Sequence, residues 1–149
     1  MSVVGRAAGV LARGVVTGVA GTAAMTLSST VESRVRHRPA STAPARAAQK
    51  VLHIDDFSSD QARARFSTAV HWSYGTGWGV PRALLGAAGV PPAVAAPVHF
   101  AAMWGGAAVM LPALGVTPPV TRWGSTEVGI DLFHHLVYET AAGLVHQAL

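Results

Sequence analysis

The sequence predicts an all-α protein, a bundle of four transmembrane helices, and three observations lead to this prediction. About 50% of the 149 residues are hydrophobic and only 12% are charged, roughly half the charged share of an ordinary soluble domain. Eleven of the eighteen charged residues lie between Glu32 and Arg65. The remainder contains four apolar stretches, each long enough to cross a hydrocarbon core of ~30 Å at ~1.5 Å per residue. We therefore expect one membrane domain over residues 1–149.

The first two predicted spans, residues 14–31 and 66–88, flank the charged segment. The first contains no charged residue and is bracketed by Arg13 and Glu32. Small residues recur along both spans, as they do where membrane helices approach closely. The glycines predicted to lie at helix contacts are Gly14, Gly18, Gly21, Gly75 and Gly79. An alternative for the first span is a secretory signal peptide, with Arg13 in its positively charged region.

The last two predicted spans, residues 93–114 and 128–149, follow a long uncharged run. The 39 residues between Arg82 and Arg122 contain no charged side chain and are too many for one crossing. Gly89 and the two prolines that follow it divide the run, because proline removes a helix donor and disfavours helix at the residue before it. Arg82 lies within the second span, so we expect it to snorkel or to pair with an acid on the fourth.

Residues 32–65 are the aqueous part of the chain. Within them, residues 43–52 are predicted to form a short surface helix with Arg46 and Lys50 four residues apart, the alternative being a solvated loop. Seven of the eleven basic residues lie in this segment. By the positive-inside rule, we expect the loop in the cytoplasm and both termini outside.

Six ionisable residues in three of the predicted spans form a candidate intramembrane polar site. They are His71, His99, Asp131, His134, His135 and Glu139. Ionisable groups at membrane depth are costly and suggest an ion path, a proton relay or a ligand site. One hypothesis is that Asp131 and Glu139 orient His71 and His135 for proton relay or divalent-metal binding. Another is haem ligation by His71 and His99.

The alternative is that these groups only hydrogen-bond to one another and to nearby backbone, and so fix the helix packing. Whether the site holds a metal stays open at this stage, and no cofactor is predicted. The polar residues of the fourth span share one side of a helix. This side can face the bundle interior, or water if the helix lies at the membrane interface, because exposing it to lipid would cost several kcal/mol per charge.

Other chemistry is excluded by what the sequence lacks. There are no cysteines, so thiol catalysis and thiolate metal sites are excluded. The glycine-rich segment at residues 75–79 lacks the lysine and the strand-to-helix setting of a phosphate loop, and no Gly-x-Ser-x-Gly elbow is present. The basic residues cluster in one loop without a nucleic-acid-binding motif. We therefore predict that the protein is not an enzyme and does not bind nucleic acid.

Several short segments resemble the YagU-like family of small, uncharacterised bacterial inner-membrane proteins. They are Ala23-Ala24-Met25-Thr26 with the glycine-rich stretch before it, His71–Gly79, Leu111-Pro112-Ala113-Leu114-Gly115 and His135-Leu136-Val137-Tyr138. The resemblance covers most of the chain in order. It implies a multi-span protein of the bacterial inner membrane and supplies no catalytic residues.

The expected function is that of a structural, accessory or stress-related membrane component. Its expected partners are the lipid bilayer and a second copy of the chain or another membrane protein. An alternative is an oligomeric small transporter or a proton- or metal-coupled module that uses the intramembrane histidines and carboxylates. A third interpretation is a soluble or peripheral helical protein whose apolar surfaces are oligomer interfaces.

Overall fold

The computed structural model describes residues 2–149, which fold into five α-helices and contain no β-strand. The helices are α1 (Val3–Val35), α2 (Ala43–Leu52), α3 (Asp60–Ala87), α4 (Pro92–Ala113) and α5 (Ser125–Ala148), with one 3-10 turn at Val120–Arg122. The predicted all-α class is therefore confirmed. The four predicted spans fall on the helices α1, α3, α4 and α5, and the predicted surface helix falls on α2.

Local sequence explains where these helices begin and end. The hydroxyls of Ser2 and Ser59 each accept a hydrogen bond of 3.1 Å from the backbone N–H three residues on, which caps α1 and α3. Gly89 and Gly115 adopt left-handed φ values of +76° and +65° just after α3 and α4. A residue in the left-handed conformation commonly ends a helix, and glycine adopts this conformation without a steric penalty because it has no Cβ.

Helix α1 is longer than predicted at its N-terminus, since it begins at Val3 rather than near residue 14. The charges of Arg6 and Arg13 suggested the edge of the span, but arginine is a good helix former and does not end a helix. The 33 residues of α1 extend over about 50 Å. The helix therefore exceeds the apolar stretch by several turns.

Neighbouring long helices run antiparallel. Near the start of α1, Gly14 lies against Val80 in the last third of α3. Further along α1, Thr26 pairs with His71, which is nearer the start of α3. The same reversal relates α5 to α1 and to α4. The α3–α4 turn and both termini therefore lie at one end of the bundle, and the loops around α2 and before α5 lie at the other.

All five glycines predicted at helix contacts lie at close approaches between helices. A Cβ on Gly79 of α3 would lie 2.6 Å from the Cα of Gly18, and one on Gly14 would lie 2.9 Å from the Cα of Val80. Gly75 faces the side chain of Thr22, and a Cβ on Gly21 would lie 2.8 Å from the ring of Tyr138. The backbones of α1 and α3 can approach this closely because side chains are absent at the crossing.

The distribution of side chains is inverted relative to a water-soluble protein. Thr17, Arg82 and His99 are at most 1% exposed. Large apolar side chains point outward instead, with Leu27 at 67% and Val109 at 73% exposure. The apolar part of the core is small, and much of it is alanine. The fold therefore buries several polar side chains in its core and exposes many large apolar ones.

Two helices, α1 and α4, are long and apolar enough to cross a membrane by length and composition. Helix α1 lies near the N-terminus, where a signal sequence has the same character. Helices α3 and α5 do not meet this criterion, and both carry charged side chains. Asp60, Arg63 and Arg65 lie in the first two turns of α3, and Arg82 and Glu139 lie deeper in the two helices.

Candidate functional site

Three buried ionisable side chains from three helices meet in the bundle, and we call them the central triad: Arg82 of α3, His99 of α4 and Glu139 of α5. They are 1%, 1% and 6% exposed. One carboxylate oxygen of Glu139 lies 3.6 Å from Nε of Arg82, and the other contacts Nδ1 of His99. The predicted pairing of Arg82 with an acid on the last helix is therefore confirmed.

The partners of His99 determine how many protons the triad holds. Its Nε2 lies 2.8 Å from the backbone carbonyl oxygen of Trp78. A carbonyl can only accept a hydrogen bond, so Nε2 carries a hydrogen and donates it. Nδ1 faces a carboxylate oxygen, and this contact is attractive only if a proton lies between the two atoms. His99 and Glu139 thus share one proton and are neutral as a pair, which leaves the triad with the single positive charge of Arg82.

Local features of α3 and α5 hold the triad in place. Pro81 has no N–H and cannot donate to the carbonyl of Gly77, four residues before it in α3. The same turn of α3 contains Trp78, whose carbonyl lies against Nε2 of His99. The ring of Trp78 packs edge-on against His99, with centroids 5.9 Å apart. Tyr138, next to Glu139, donates a hydrogen bond of 2.6 Å to the carbonyl of Gly75. The rings of Trp78 and Tyr138 therefore pack against His99.

The opposite side of the triad opens into a groove between α4 and α5, with a volume of about 460 Å³. Arg82 and Glu139 lie on its floor, and its walls include Phe100, Leu136 and Leu144. Nε and Nη2 of Arg82 and Oε1 of Glu139 are buried and have no hydrogen-bond partner among residues 2–149. Arg82 therefore borders an apolar groove, and two of its unpartnered nitrogens lie just beneath the groove surface.

A second ionic cluster lies at the opposite end of the bundle, around Glu32 in the last turn of α1. Arg38 donates to both carboxylate oxygens from Nε and Nη2, at 2.8 and 2.5 Å respectively, and Arg36 donates at 3.3 Å. The hydrogen bonds from Arg38 are the main cause that holds the pKa of Glu32 below its ordinary value. His134 lies beside this cluster, with Nδ1 2.9 Å from the hydroxyl of Ser28 and Nε2 3.7 Å from Glu32.

The remaining predicted site residues have partners of their own near the same end. His71 Nε2 lies 2.8 Å from the hydroxyl of Thr26. The carboxylate of Asp131 accepts a hydrogen bond of 2.8 Å from the indole of Trp104. Nδ1 of His135 donates to the backbone carbonyl of Asp131 at 2.8 Å. These contacts tie α1 to α3 and α4 to α5.

The structure thus brings two of the six candidate residues together, His99 and Glu139, and separates the other four from them. The hypothesis that Asp131 and Glu139 jointly orient His71 and His135 requires correction. Asp131 contacts His135, but Glu139 contacts His99 instead. Asp131 and Glu139 share a side of α5, yet eight residues of helix separate them by about 12 Å.

Metal and haem chemistry gain no support from this arrangement. Residues 2–149 contain no group of three or more histidine, aspartate or glutamate side chains placed to hold a metal ion. Both ring nitrogens of His99 already contact protein atoms, which argues against its service as a haem ligand beside His71.

Sequence reasoning missed two features of the site. Arg82 was expected to find an acid, but it was not placed among the candidate site residues, although a lone charge inside a long apolar run is a signal of such a role. The groove could not be inferred, because it depends on how far apart α4 and α5 lie. The chain matches no protein-family model, no curated protein and no solved structure.

Proposed function

We propose that this chain is a multi-span integral membrane protein in which α1, α3, α4 and α5 each cross the bilayer, and that it serves as a non-catalytic structural or accessory component. The observation that carries the proposal is the inverted distribution of side chains. Arg82 and His99 are buried, while Leu27 and Val109 are largely exposed. Lipid accepts exposed leucine and valine without cost and penalises charge, so this distribution suits a bilayer.

The charges on α3 and α5 are compatible with crossing. Arg82 and Glu139 are buried against each other, and Asp60 and Arg65 lie within the first two turns of α3, where water or headgroups can solvate them. The helices have 28 and 24 residues, which correspond to about 42 and 36 Å and exceed a hydrocarbon core of ~30 Å.

We place the protein in a bacterial inner membrane, with the α1–α3 connection in the cytoplasm. The basic residues of that connection support this orientation, and the resemblance to the YagU-like family supports the location. The lipid bilayer is the proposed partner, together with a second copy of the chain or another membrane protein.

A second candidate function is that of an oligomeric proton-coupled module or small transporter. The buried contact between His99 and Glu139 favours it, because an ionisable pair inside the bundle is the element that such a module needs. Reconstitution into vesicles with an internal pH dye tests this candidate. It predicts a proton flux that Glu139→Gln abolishes, and a flux equal to that of empty vesicles would refute it.

Carbonate washing of membranes tests the main proposal. An integral protein stays in the pellet at alkaline pH, whereas a peripheral protein moves to the supernatant. We expect the full chain to stay in the pellet and to dissolve in detergent. Recovery in the carbonate supernatant would overturn the proposal and favour the interpretation in which the apolar surfaces are oligomer interfaces of a soluble protein.

A further inference from the structure

We propose that the groove between α4 and α5 binds a single long-chain fatty acid, with its carboxylate on Arg82 and its acyl chain along the apolar walls. The inference deepens the proposed membrane role, on which it rests, because a bilayer would supply the ligand and receive the end of its chain. It assigns this surface a ligand class, an anionic single-chain amphiphile.

The charge of the central triad calls for an anion at the groove floor. His99 and Glu139 share one proton, so the positive charge of Arg82 is not fully neutralised by the carboxylate 3.6 Å away. Nε and Nη2 of Arg82 have no hydrogen-bond partner among the described residues and are closed to solvent, so a ligand carboxylate would meet them after a shift of the Arg82 side chain toward the groove. A guanidinium offers two parallel N–H donors that match the two oxygens of a carboxylate. A ligand with one negative charge would complete both the charge balance and the hydrogen bonding.

The walls of the groove suit an acyl chain. Phe100, Leu136 and Leu144 line it, and the last two are 51% and 65% exposed, so the groove continues onto the outer apolar surface. Its volume of about 460 Å³ lies within the usual range of ~300–1,000 Å³ for small-molecule sites. A groove of this size favours one acyl chain over the two chains of a phospholipid.

Gly143 provides a way to close the groove without touching the triad. It lies on the groove wall, and a Cβ built on it meets nothing within 4 Å. Gly143→Leu would therefore occupy the space of the acyl chain while leaving Arg82 and Glu139 unchanged. Gly129→Leu is the matched control, because Gly129 is on the same helix, has equally open space at its Cβ and lies outside the groove.

Photocrosslinking of the full chain in nanodiscs tests the proposal. The probe is palmitic acid carrying a diazirine on its chain, and the competitors are palmitate, palmityl alcohol and phosphatidylglycerol. We expect saturable labelling at α4 and α5, competition by palmitate, and at least tenfold weaker competition by the alcohol and by the phospholipid. Equal competition by the alcohol would overturn the role of Arg82, and equal competition by phosphatidylglycerol would overturn the choice of ligand.

The variants separate groove binding from adsorption to the surface. We expect Gly143→Leu to weaken labelling at least tenfold, and Gly129→Leu to label as the unaltered chain does. Arg82→Gln is expected to weaken labelling similarly, and Gly143→Leu keeps the test decisive if Arg82→Gln does not fold. Equal labelling of the two glycine variants would overturn the proposal. A chain that resists carbonate extraction but binds no probe refutes this inference alone, whereas extraction by carbonate refutes the membrane proposal.

Discussion

The crossing of α1 and α3 leads to opposite expectations for two glycines of α3 that are two residues apart. A Cβ on Gly79 would lie 2.6 Å from the Cα of Gly18, about 0.8 Å short of ordinary van der Waals contact, and closer still to the carbonyl oxygen of Gly14. Both neighbours are backbone atoms, so no side chain can move aside, and Gly79→Ala must push the helices apart. Overpacking of this kind costs about 1–3 kcal/mol. A Cβ on Gly77 meets nothing within 4 Å, so Gly77→Ala should stabilise the helix by about 0.5–1 kcal/mol.

Reversible unfolding in mixed detergent and dodecyl sulfate micelles, followed by circular dichroism, measures both variants. We expect Gly79→Ala to unfold at lower dodecyl sulfate and Gly77→Ala at higher dodecyl sulfate than the unaltered chain, with free energies that differ by about 2–3 kcal/mol. Equal stability of the two variants, or a more stable Gly79→Ala, would refute the close contact between α1 and α3.

Three further predictions concern polar contacts. Glu139→Gln leaves Arg82 buried without its ion pair and should lower the free energy of unfolding by about 3 kcal/mol. The control Glu127→Gln, at the exposed start of α5, should lower it by less than about 1 kcal/mol. The same micelle titration measures both variants, and equal losses would contradict the triad. Tyr138→Phe removes the hydrogen bond to the backbone carbonyl of Gly75 and should lower the free energy of unfolding by about 1–2 kcal/mol. The control Tyr74→Phe, at a tyrosine that is 40% exposed, should change it by no more than about 0.5 kcal/mol. The arginine partners of Glu32 lower its pKa, so its ion pairs stabilise the folded protein fully above the ordinary carboxyl pKa of about 4.3. This stabilisation is lost as pH falls through the lowered pKa. The unaltered chain should therefore lose its stability advantage over Glu32→Gln in acid, and an advantage that grows in acid would contradict the ion pairs.

Helix positions could be predicted closely from local signals. Gly89 and the prolines after it mark the end of α3 and the start of α4, because the left-handed backbone and the missing N–H act within a few residues. Residues 43–52, predicted as a helix from the spacing of Arg46 and Lys50, form α2, and the structure shows Pro44 and the left-handed His53 at its two ends. The first span was inferred from the absence of charge, which indicates where water lies and does not mark the start of a helix, so α1 extends beyond the span toward the N-terminus.

The arrangement of the site could be predicted only in part. The direction of a side chain around a helix follows from sequence, so the inward positions of His134 and Glu139 on α5 were accessible. The depth of a side chain along the bundle axis cannot be predicted in this way, because a helical wheel projects all turns onto one plane. Asp131 and Glu139 lie on the same side of the wheel, yet one meets Trp104 and the other His99. Which histidine meets which acid depends on the antiparallel register, and long-range packing sets that register.

The claim that α3 crosses the membrane, despite the charges that it carries, is the central one. The chain has no cysteine, so single cysteines can report on each connection without further changes. Ser41→Cys lies before α3, Ala88→Cys follows it, and Thr121→Cys lies between α4 and α5. Labelling of intact cells with a membrane-impermeant thiol reagent is the decisive measurement. We predict labelling of Ala88→Cys alone, with the other two labelled only after permeabilisation; labelling of Ser41→Cys and Ala88→Cys from the same side would contradict the four-span bundle.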